Sequence, residues 1–302
     1  MLIPAHLRDL QVQAAAHPRA QPHLSSASGL ARAGDWLYVV ADDEHHIGAF
    51  QAGDAGSPVT LHRVLPGDLP HGKGERKKRK PDFESLAMLD PSALHPHGVL
   101  LALGSGSTPH RERGVLASLD GHGGITGAVQ VIGLAGLYAP LRGQFPDLNI
   151  EGGFIAGGSF ILLQRANKGD ARNAAISYPL RGMQDWLAGR SAVPPEPQGV
   201  VLFELGAVQG VPLGFTDGAG LPDGGWIFSA VAEDTSDSYN DGACAGSAVG
   251  WVGPDGRLQR IEPLQGAPKV EGIAPDGPAR LLMVTDQDDP ESASRLLSVD
   301  LA

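Results

Sequence analysis

Five segments of the chain share one layout, and this repeat limits the folds that the sequence can adopt. Each begins with Ser, Asp or Glu followed by Gly or Ser, and continues as a short strand, a turn and a strongly apolar strand. The segments start at Ser28, Glu84, Glu151, Asp217 and Glu271. These starts are 56, 67, 66 and 54 residues apart. Such periods fit a four-stranded propeller blade of about 40–50 residues with loop insertions.

The second strand of each segment is a continuous apolar run rather than an alternation of apolar and polar residues. Such a run indicates burial on both faces, as when blades stack sheet against sheet around a ring. The runs read WLYVVA, VLLALG, FILLQ, WIFSAV and LLMVT. A third strand follows in every segment and a fourth in all but the last, where the chain reaches Ala302.

The N-terminal stretch HLRDLQVQ, residues 6–13, lies outside the repeat and is the natural fourth strand of the last blade. Its pairing there would close the ring and remove the exposed edges that an open sheet would carry. We therefore predict an all-β protein, a five-bladed β-propeller that forms a single domain over residues 1–302, with an insertion at about residues 181–198 in the third blade. A β-sandwich with coincidental turn motifs is the alternative.

Composition narrows the class of protein and its partners. The 42 glycines and 24 prolines suit many short strands joined by tight turns. A formal charge of −11 argues against general nucleic-acid binding, and no apolar run reaches the roughly 18 residues of a membrane span. The start MLIPAHLRDL lacks the features of a secretory signal, and Cys244 is the single cysteine, so we expect a cytoplasmic protein.

If the blades are related by rotation, the five starting residues project toward the central axis. Two carboxylates ~6 Å apart repel by about 3 kcal/mol at an effective dielectric near 20, so a ring of four calls for protons or a cation. Hard oxygen ligands suit Ca²⁺ better than Zn²⁺ or Mg²⁺, although another divalent cation or a water-filled ring would also satisfy them. Taken singly, an acid–Gly pair is an ordinary turn. The predicted metal ligands are Ser28, Glu84, Glu151, Asp217 and Glu271.

This order of residues resembles the central calcium site of the calcium-activated nucleotidase (apyrase) family, a five-bladed propeller whose axial ion is held by Ser, Glu, Glu, Ser and Glu. Ser28, Glu84, Glu151 and Glu271 match that pattern by residue type, whereas Asp217 stands where the family has serine. The resemblance implies the fold and the ion rather than the activity. Blade starts of the Glu-Gly-Ile type are also similar to those of bacterial phytase-like and esterase-like propellers.

A second ring of side chains is predicted at the mouth of the channel. The apolar second strand runs antiparallel to the first, so its end returns to the face where the first strand began. The residues at these ends are Asp42, Ser105, Arg165, Glu233 and Asp286. Basic side chains of the second and third blades would make one sector of the mouth positive. The alternative is that these charges pair across neighbouring blades and serve only solubility.

Together these features favour a metal-dependent hydrolase of a phosphorylated or otherwise anionic small molecule. Either Glu233 or Asp286 would act as general base. The predicted substrate-binding residues are Lys80, Ser105, Arg111, Arg113, Arg165 and Lys168. Two alternatives stay open: a lactonase or esterase whose axial metal polarises a carbonyl, and a non-catalytic binding module with a structural ion.

Three other motifs carry less weight. The basic run GKGERKKRKPD, residues 72–82, reads as a solvated loop with Lys80 alone pointing inward. The acidic segment DTSDSYNDG, residues 234–242, fails the EF-hand spacing because Tyr239 occupies a ligand position. The GACAG sequence around Cys244 lacks the strand–turn–helix context of a nucleophile elbow.

Overall fold

The computed structural model describes residues 1–54, 56–167, 169–234 and 243–301. The predicted anion ligand Lys168 and the acidic residues 235–242 lie outside the described residues. The described strands form five antiparallel sheets, four of them with four strands and one with five. The innermost strands of the sheets neighbour one another in a closed cycle. The predicted fold class, a five-bladed β-propeller, is confirmed.

The strands follow the chain blade by blade after a first strand, β1 (Ala5–Asp9). Blade one contains β2 (Ala27–Ala33), β3 (Trp36–Ala41), β4 (His46–Gln51) and β5 (Thr60–Arg63). Blade two contains β6 (Phe83–Leu89), β7 (Val99–Gly104), β8 (Arg113–Leu119) and β9 (Ile125–Gly133). Blade three contains β10 (Ile150–Ala156), β11 (Ser159–Gln164), β12 (Asn173–Pro179) and β13 (Gly199–Phe203).

Blade four has an additional short strand at its inner edge. It contains β14 (Ala207–Val208), β15 (Val211–Gly220), β16 (Trp226–Asp234), β17 (Ala243–Val252) and β18 (Leu258–Pro263). Blade five contains β19 (Val270–Pro275), β20 (Arg280–Thr285) and β21 (Arg295–Asp300). Strand β1 completes it by pairing antiparallel with β21, with Ala5 opposite Ser298 and Asp9 opposite Arg295. The N-terminal strand therefore closes the ring, as predicted.

The apolar core is divided among the interfaces between blades. Five clusters of buried side chains each lie between two neighbouring blades. Between blades three and four the cluster is aromatic, with the Phe154 and Trp226 rings 5.4 Å apart and the Phe215 and Phe228 rings 4.9 Å apart. Because the second strand of each blade contributes to the interfaces on both of its faces, its sequence is continuously apolar.

The residue that follows each segment start is Gly or Ser for a steric reason. A Cβ atom built on Gly29 would lie 2.9 Å from the Leu86 nitrogen of the next blade, and one on Gly272 would lie 2.8 Å from the Leu30 nitrogen. Innermost strands of adjacent blades thus approach too closely for larger side chains. Ser85 takes this position in blade two and donates a hydrogen bond of 3.3 Å to the Gly153 carbonyl of blade three.

The described residues also form three short α-helices outside the sheets: α1 (Lys73–Arg79), α2 (Ala135–Arg142) and α3 (Leu180–Leu187). The basic run predicted as a solvated loop is helix α1, and its Arg76 side chain is buried rather than solvated. Helix α3 lies between β12 and β13 and precedes the proline-rich loop of the third blade. Among the residues that the structure describes, no helix has the length and hydropathy needed to cross a membrane.

Candidate functional site

A cavity of about 530 Å³ occupies the end of the propeller at which the second strand of each blade ends. Its wall is strongly charged: among the described residues, eleven carboxylates and eight Lys or Arg side chains line it. Most of the charged side chains near its floor are buried or half-buried. The cavity therefore combines dense charge with restricted access to solvent, conditions in which ionic interactions are strong.

The floor of the cavity is set by an irregularity that recurs in all five innermost strands. The pairing of the first and second strands skips one residue, which marks a β-bulge. The skipped residues are Ser28, Glu84, Glu151, Thr216 and Glu271. Four are residues that the sequence repeat singled out, and all four line the cavity.

The fourth blade corrects the prediction. There the skipped residue is Thr216, and Asp217 lies one position further, in register with Ser229 of β16. Asp217 is absent from the cavity wall; its carboxylate accepts hydrogen bonds from the Gly218 and Ile273 backbone N–H groups, at 2.8 and 2.9 Å. Burial raises its pKa well above the usual range although these hydrogen bonds oppose the shift. Asp217 therefore ties blade four to blade five and does not face the cavity with the other four predicted ligands.

Thr216 and Ser28 present hydroxyl groups that already join neighbouring blades. Thr216 Oγ1 donates to the Val270 carbonyl at 2.9 Å, and Ser28 Oγ donates to the Phe83 carbonyl. Thr216 also lies 2.8 Å from the Ser229 hydroxyl. The two hydroxyl positions of the ring are thus engaged in inter-blade hydrogen bonds, whereas the three glutamates face the cavity.

A further layer of the wall comes from the residues two positions before the skipped ones. All five line the cavity, as expected for a strand in which alternate residues share a face. They are Ser26, Asp82, Asn149, Gly214 and Lys269. The repeat did not single out Asp82 and Lys269, although each lies two residues before a predicted ligand, Glu84 or Glu271.

One half of the cavity holds carboxylates that basic side chains already neutralise. Arg165 lies 2.8 Å from Glu233, 3.5 Å from Glu151 and 3.8 Å from Glu271. Lys269 lies 3.3 Å from Glu233 and 3.7 Å from Glu271. Glu233 Oε1 and Glu271 Oε2 are nevertheless buried without a hydrogen-bond partner among the described residues.

The other half, between blades one and two, holds a second cluster of acids. Carboxylate oxygens of Asp42, Asp82 and Glu84 lie within 4.8 Å of one another. The Lys80 ammonium contacts Asp42 and lies 2.8 Å from Asp82, and Arg111 lies 2.8 Å from Asp82. Within the described part of the chain, Glu84 forms no ion pair. We name Asp42, Asp82 and Glu84 the acidic triad.

The pKa values show how poorly the acids are compensated. Burial raises the pKa of Glu84 well above its usual range, and the carboxylates of Glu151, Asp82 and Asp42 add to the shift. Burial likewise raises the pKa of Asp42 to about 7 and that of Glu271 to about 8, although nearby cations oppose both shifts. Burial raises the pKa of Asp286 to about 6. Several of these acids can therefore exchange a proton near neutral pH.

The predicted mouth ring is only partly assembled. Asp42, Arg165, Glu233 and Asp286 line the cavity. Ser105 does not; it is fully buried and donates a 2.5 Å hydrogen bond to Asp82 Oδ2. The Ser105 hydroxyl, which was predicted to bind substrate, thus helps to hold Asp82 of the acidic triad in place.

Some of the predicted anion ligands line the cavity and others do not. Lys80, Arg111 and Arg165 line the cavity, each paired with a carboxylate. Arg113 is exposed and absent from the wall because it starts β8, the third strand of its blade, which lies away from the axis. The structure therefore does not bring Arg113 together with the other predicted anion ligands.

Helix α1 forms part of the outer wall and is held against the propeller by ion pairs. Arg76 donates hydrogen bonds of 2.7 Å to Glu44 and 2.9 Å to Asp43. Glu44 is also 2.9 Å from Arg19 and 3.3 Å from His17 Nε2. Although burial opposes ionisation, the neighbouring imidazoles and the Arg76 guanidinium hold the pKa of Glu44 well below its usual range. This docking brings Lys73 and Lys77 to the cavity mouth.

Comparison with known proteins places the chain in a family. Residues 23–301 match the model described as "Family of unknown function (DUF6929)", and the chain belongs to that family. No curated protein matches the sequence significantly.

Solved structures share the propeller fold at low sequence identity. The PQQ-bound aldose sugar dehydrogenase of Streptomyces coelicolor is 14% identical with a TM-score of 0.53, covering 98% of this chain and 97% of its own. The α-L-arabinofuranosidase of Podospora anserina, in complex with cellotriose, is 12% identical with a TM-score of 0.49, covering 99% and 96%. At such identities the likeness concerns the fold alone.

Proposed function

We propose that this protein binds a divalent cation in the cavity and hydrolyses a phosphorylated or otherwise anionic small molecule there. The observation that carries the proposal is the charge of the wall, in which eleven carboxylates face only eight Lys and Arg side chains in the part of the chain that the structure describes. Acids that crowd a buried space are neutralised by protons or by a cation, and the raised pKa values indicate that protons do so only in part at neutral pH.

The acidic triad is the best candidate to hold the cation. Its oxygens lie within 4.8 Å of one another, which matches ligands about 2.3–2.6 Å from a shared Ca²⁺. Glu151 and Glu271 face the same cavity, and Oε2 of Glu271, which has no hydrogen-bond partner among the described residues, is a further candidate ligand. Because the wall offers oxygen ligands and its histidine, His71, stands apart from the triad, Ca²⁺ suits the site better than Zn²⁺.

The remaining residues support a hydrolytic role for the site. A bound divalent cation would polarise a phosphoryl or carbonyl oxygen of the substrate. Asp286 accepts a 2.9 Å hydrogen bond from the Asp288 backbone, and its pKa of about 6 suits the uptake of a proton from water at neutral pH. Glu233 lies between Arg165 and Lys269 and holds both cations in place. Lys73 and Lys77 at the mouth would attract an anion.

The test begins with chelator-stripped protein. Calorimetric titration with Ca²⁺ measures binding, and turnover is measured with p-nitrophenyl phosphate, bis(p-nitrophenyl) phosphate, an aryl ester and a lactone. We expect Ca²⁺-dependent turnover of a phosphoester, at least about 100-fold slower in Asp286→Asn, the loss typical of a removed general base. We also expect weaker Ca²⁺ binding in Glu84→Gln. Asp90→Asn, at an exposed position after β6, is the matched control.

Each outcome separates the alternatives. Absence of Ca²⁺ binding in the unsubstituted protein would refute the cation site. Turnover of the ester or lactone alone would replace the proposed substrate class. Ca²⁺ binding that raises the melting temperature without any turnover would leave a binding module with a structural ion.

A further inference from the structure

Lys80 occupies the place that a cation in the acidic triad would need. Its ammonium contacts Asp42 Oδ2 and lies 2.8 Å from Asp82 Oδ1, so it sits between two of the three carboxylates. The side chain is only 13% exposed, and the same three acids provide the closely spaced oxygens described above. A divalent ion bound by these oxygens would be within a few ångströms of a positive charge, which would strongly oppose its binding.

The backbone around Lys80 is fixed, whereas its side chain can turn. The Lys80 N–H donates 2.8 Å to the Arg76 carbonyl at the end of α1, and Pro81 follows. Arg76 in turn is fastened to Asp43 and Glu44. The four-carbon stem of lysine is flexible, and the cavity beside it extends to the mouth where Lys73 and Lys77 stand. The ammonium can therefore leave the triad without moving the helix.

We propose that the Lys80 ammonium is the resident counter-ion of the acidic triad, and that a divalent cation binds there only in exchange for it, turning Lys80 toward the cavity mouth. This inference rests on the proposed cation site and adds how that site is regulated. The exchange couples two events: arrival of the ion delivers a free ammonium to the part of the cavity where an anion would bind. Cation and anion would then strengthen each other's binding.

The direct test replaces Lys80 with a neutral side chain of similar length. Ca²⁺ affinity of chelator-stripped full-length protein is measured by calorimetry for the unsubstituted chain, Lys80→Met and Lys78→Met. Lys78 lies two residues earlier, in α1, with its side chain 63% exposed, and provides the matched control. We expect Lys80→Met to bind Ca²⁺ at least tenfold more tightly than the unsubstituted chain, and Lys78→Met to bind with unchanged affinity.

A second measurement needs no substitution and covers the case in which Lys80→Met does not fold. The unsubstituted protein is treated with a small acylating reagent with and without saturating Ca²⁺, and modification is quantified at each lysine by peptide mass spectrometry. We expect Ca²⁺ to raise acylation of Lys80 several-fold and to leave that of Lys78 unchanged.

The outcomes distinguish this inference from the proposed function. If the unsubstituted protein binds Ca²⁺ but Lys80→Met binds no more tightly, the exchange is refuted and the cation site stands. Ca²⁺ binding without increased acylation of Lys80 refutes the exchange in the same way. If neither the unsubstituted protein nor Lys80→Met binds Ca²⁺, the proposed cation site fails, and this inference fails with it.

Discussion

Arg165 joins three blades through one side chain, and a glycine makes this possible. Its guanidinium lies near Glu151 of blade three, Glu233 of blade four and Glu271 of blade five. The stem passes over Gly214, where a Cβ atom would lie 2.9 Å from the Arg165 Cγ atom. A methyl group at this position would displace the arginine from all three acids, because buried side chains have little room to shift.

We therefore expect Gly214→Ala to destabilise the protein by about 2 kcal/mol, the usual size of an overpacking effect in a closely packed region. Urea unfolding with linear extrapolation measures the free energy of unfolding. Gly133→Ala is the control, since nothing lies within 4 Å of a Cβ built there, and we expect it to change stability by less than about 0.5 kcal/mol. Equal unfolding free energies for the two variants would show that Arg165 tolerates the methyl group.

At the scale of residues, the sequence predicted four of the five ring positions because each blade repeats the same pair of an oxygen-bearing residue and a small one. The prediction was one residue out of register in blade four because Asp217–Gly218 has the same residue types as that pair but lies one position later. A shift of one residue turns a strand's side chains to the other face. The prediction therefore selected Asp217, which is buried and bonded to blade five, in place of Thr216. Lys269 was not predicted because its ion pair with Glu233 joins blade five to blade four, which are far apart in the sequence at this point.

Among the elements, α1 is unusual because it contains no apolar side chain that could pack against the propeller. Its sequence is KGERKKR, and Arg76 is its buried residue. A helix of seven residues is not stable by itself in water, so its position depends on the contacts of Arg76 with Asp43 and Glu44. Those partners lie more than thirty residues earlier in the chain. No local pattern could have predicted this helix, whereas the strands follow from local apolar runs.

Loss of the Arg76 contacts should release α1 from the propeller. We expect Arg76→Gln to raise the rate of tryptic cleavage within residues 73–79 at least tenfold, because proteolysis requires an unfolded segment. Lys78→Gln removes one tryptic site from the same helix and a side chain that is 63% exposed, so it serves as the control and should be cleaved at the rate of the unsubstituted protein. Similar rates for the two variants would indicate that other contacts hold the helix.

For the whole molecule, the acids of the cavity make stability depend on pH. Carboxylates with raised pKa values, such as Asp42 at about 7 and Glu271 at about 8, bind protons in the folded state at pH values where the unfolded chain has lost them. Their contribution is complete below pH 4 and is lost as the pH rises toward 8. Glu44 and Asp82 have lowered pKa values, so their contribution is present above about pH 4.5 and is lost in acid.

The stability of chelator-stripped protein should therefore be greatest at about pH 4 to 4.5, and should be lower at pH 8 than at pH 5 by at least about 2 kcal/mol, a decrease of roughly 4 °C in melting temperature. Added Ca²⁺ should restore most of this lost stability at pH 8, because the ion takes the place of the protons that the acids have released. At pH 5 the acids still hold protons, so Ca²⁺ should have little effect. Differential scanning calorimetry at both pH values is the measurement. A melting temperature that rises from pH 5 to pH 8 without Ca²⁺ would contradict the raised pKa values.

Closure of the propeller by β1 also sets the order in which the protein can be completed. Blades one to four are each built from strands close together in the sequence, so they can form as the chain leaves the ribosome. Strand β1 emerges before all of them, yet its partner β21 emerges after nearly 300 further residues. Until then β1 presents unpaired edges, which are prone to join other chains. Synthesis of the last blade is thus the interval in which the nascent protein is most vulnerable to aggregation and most dependent on chaperones.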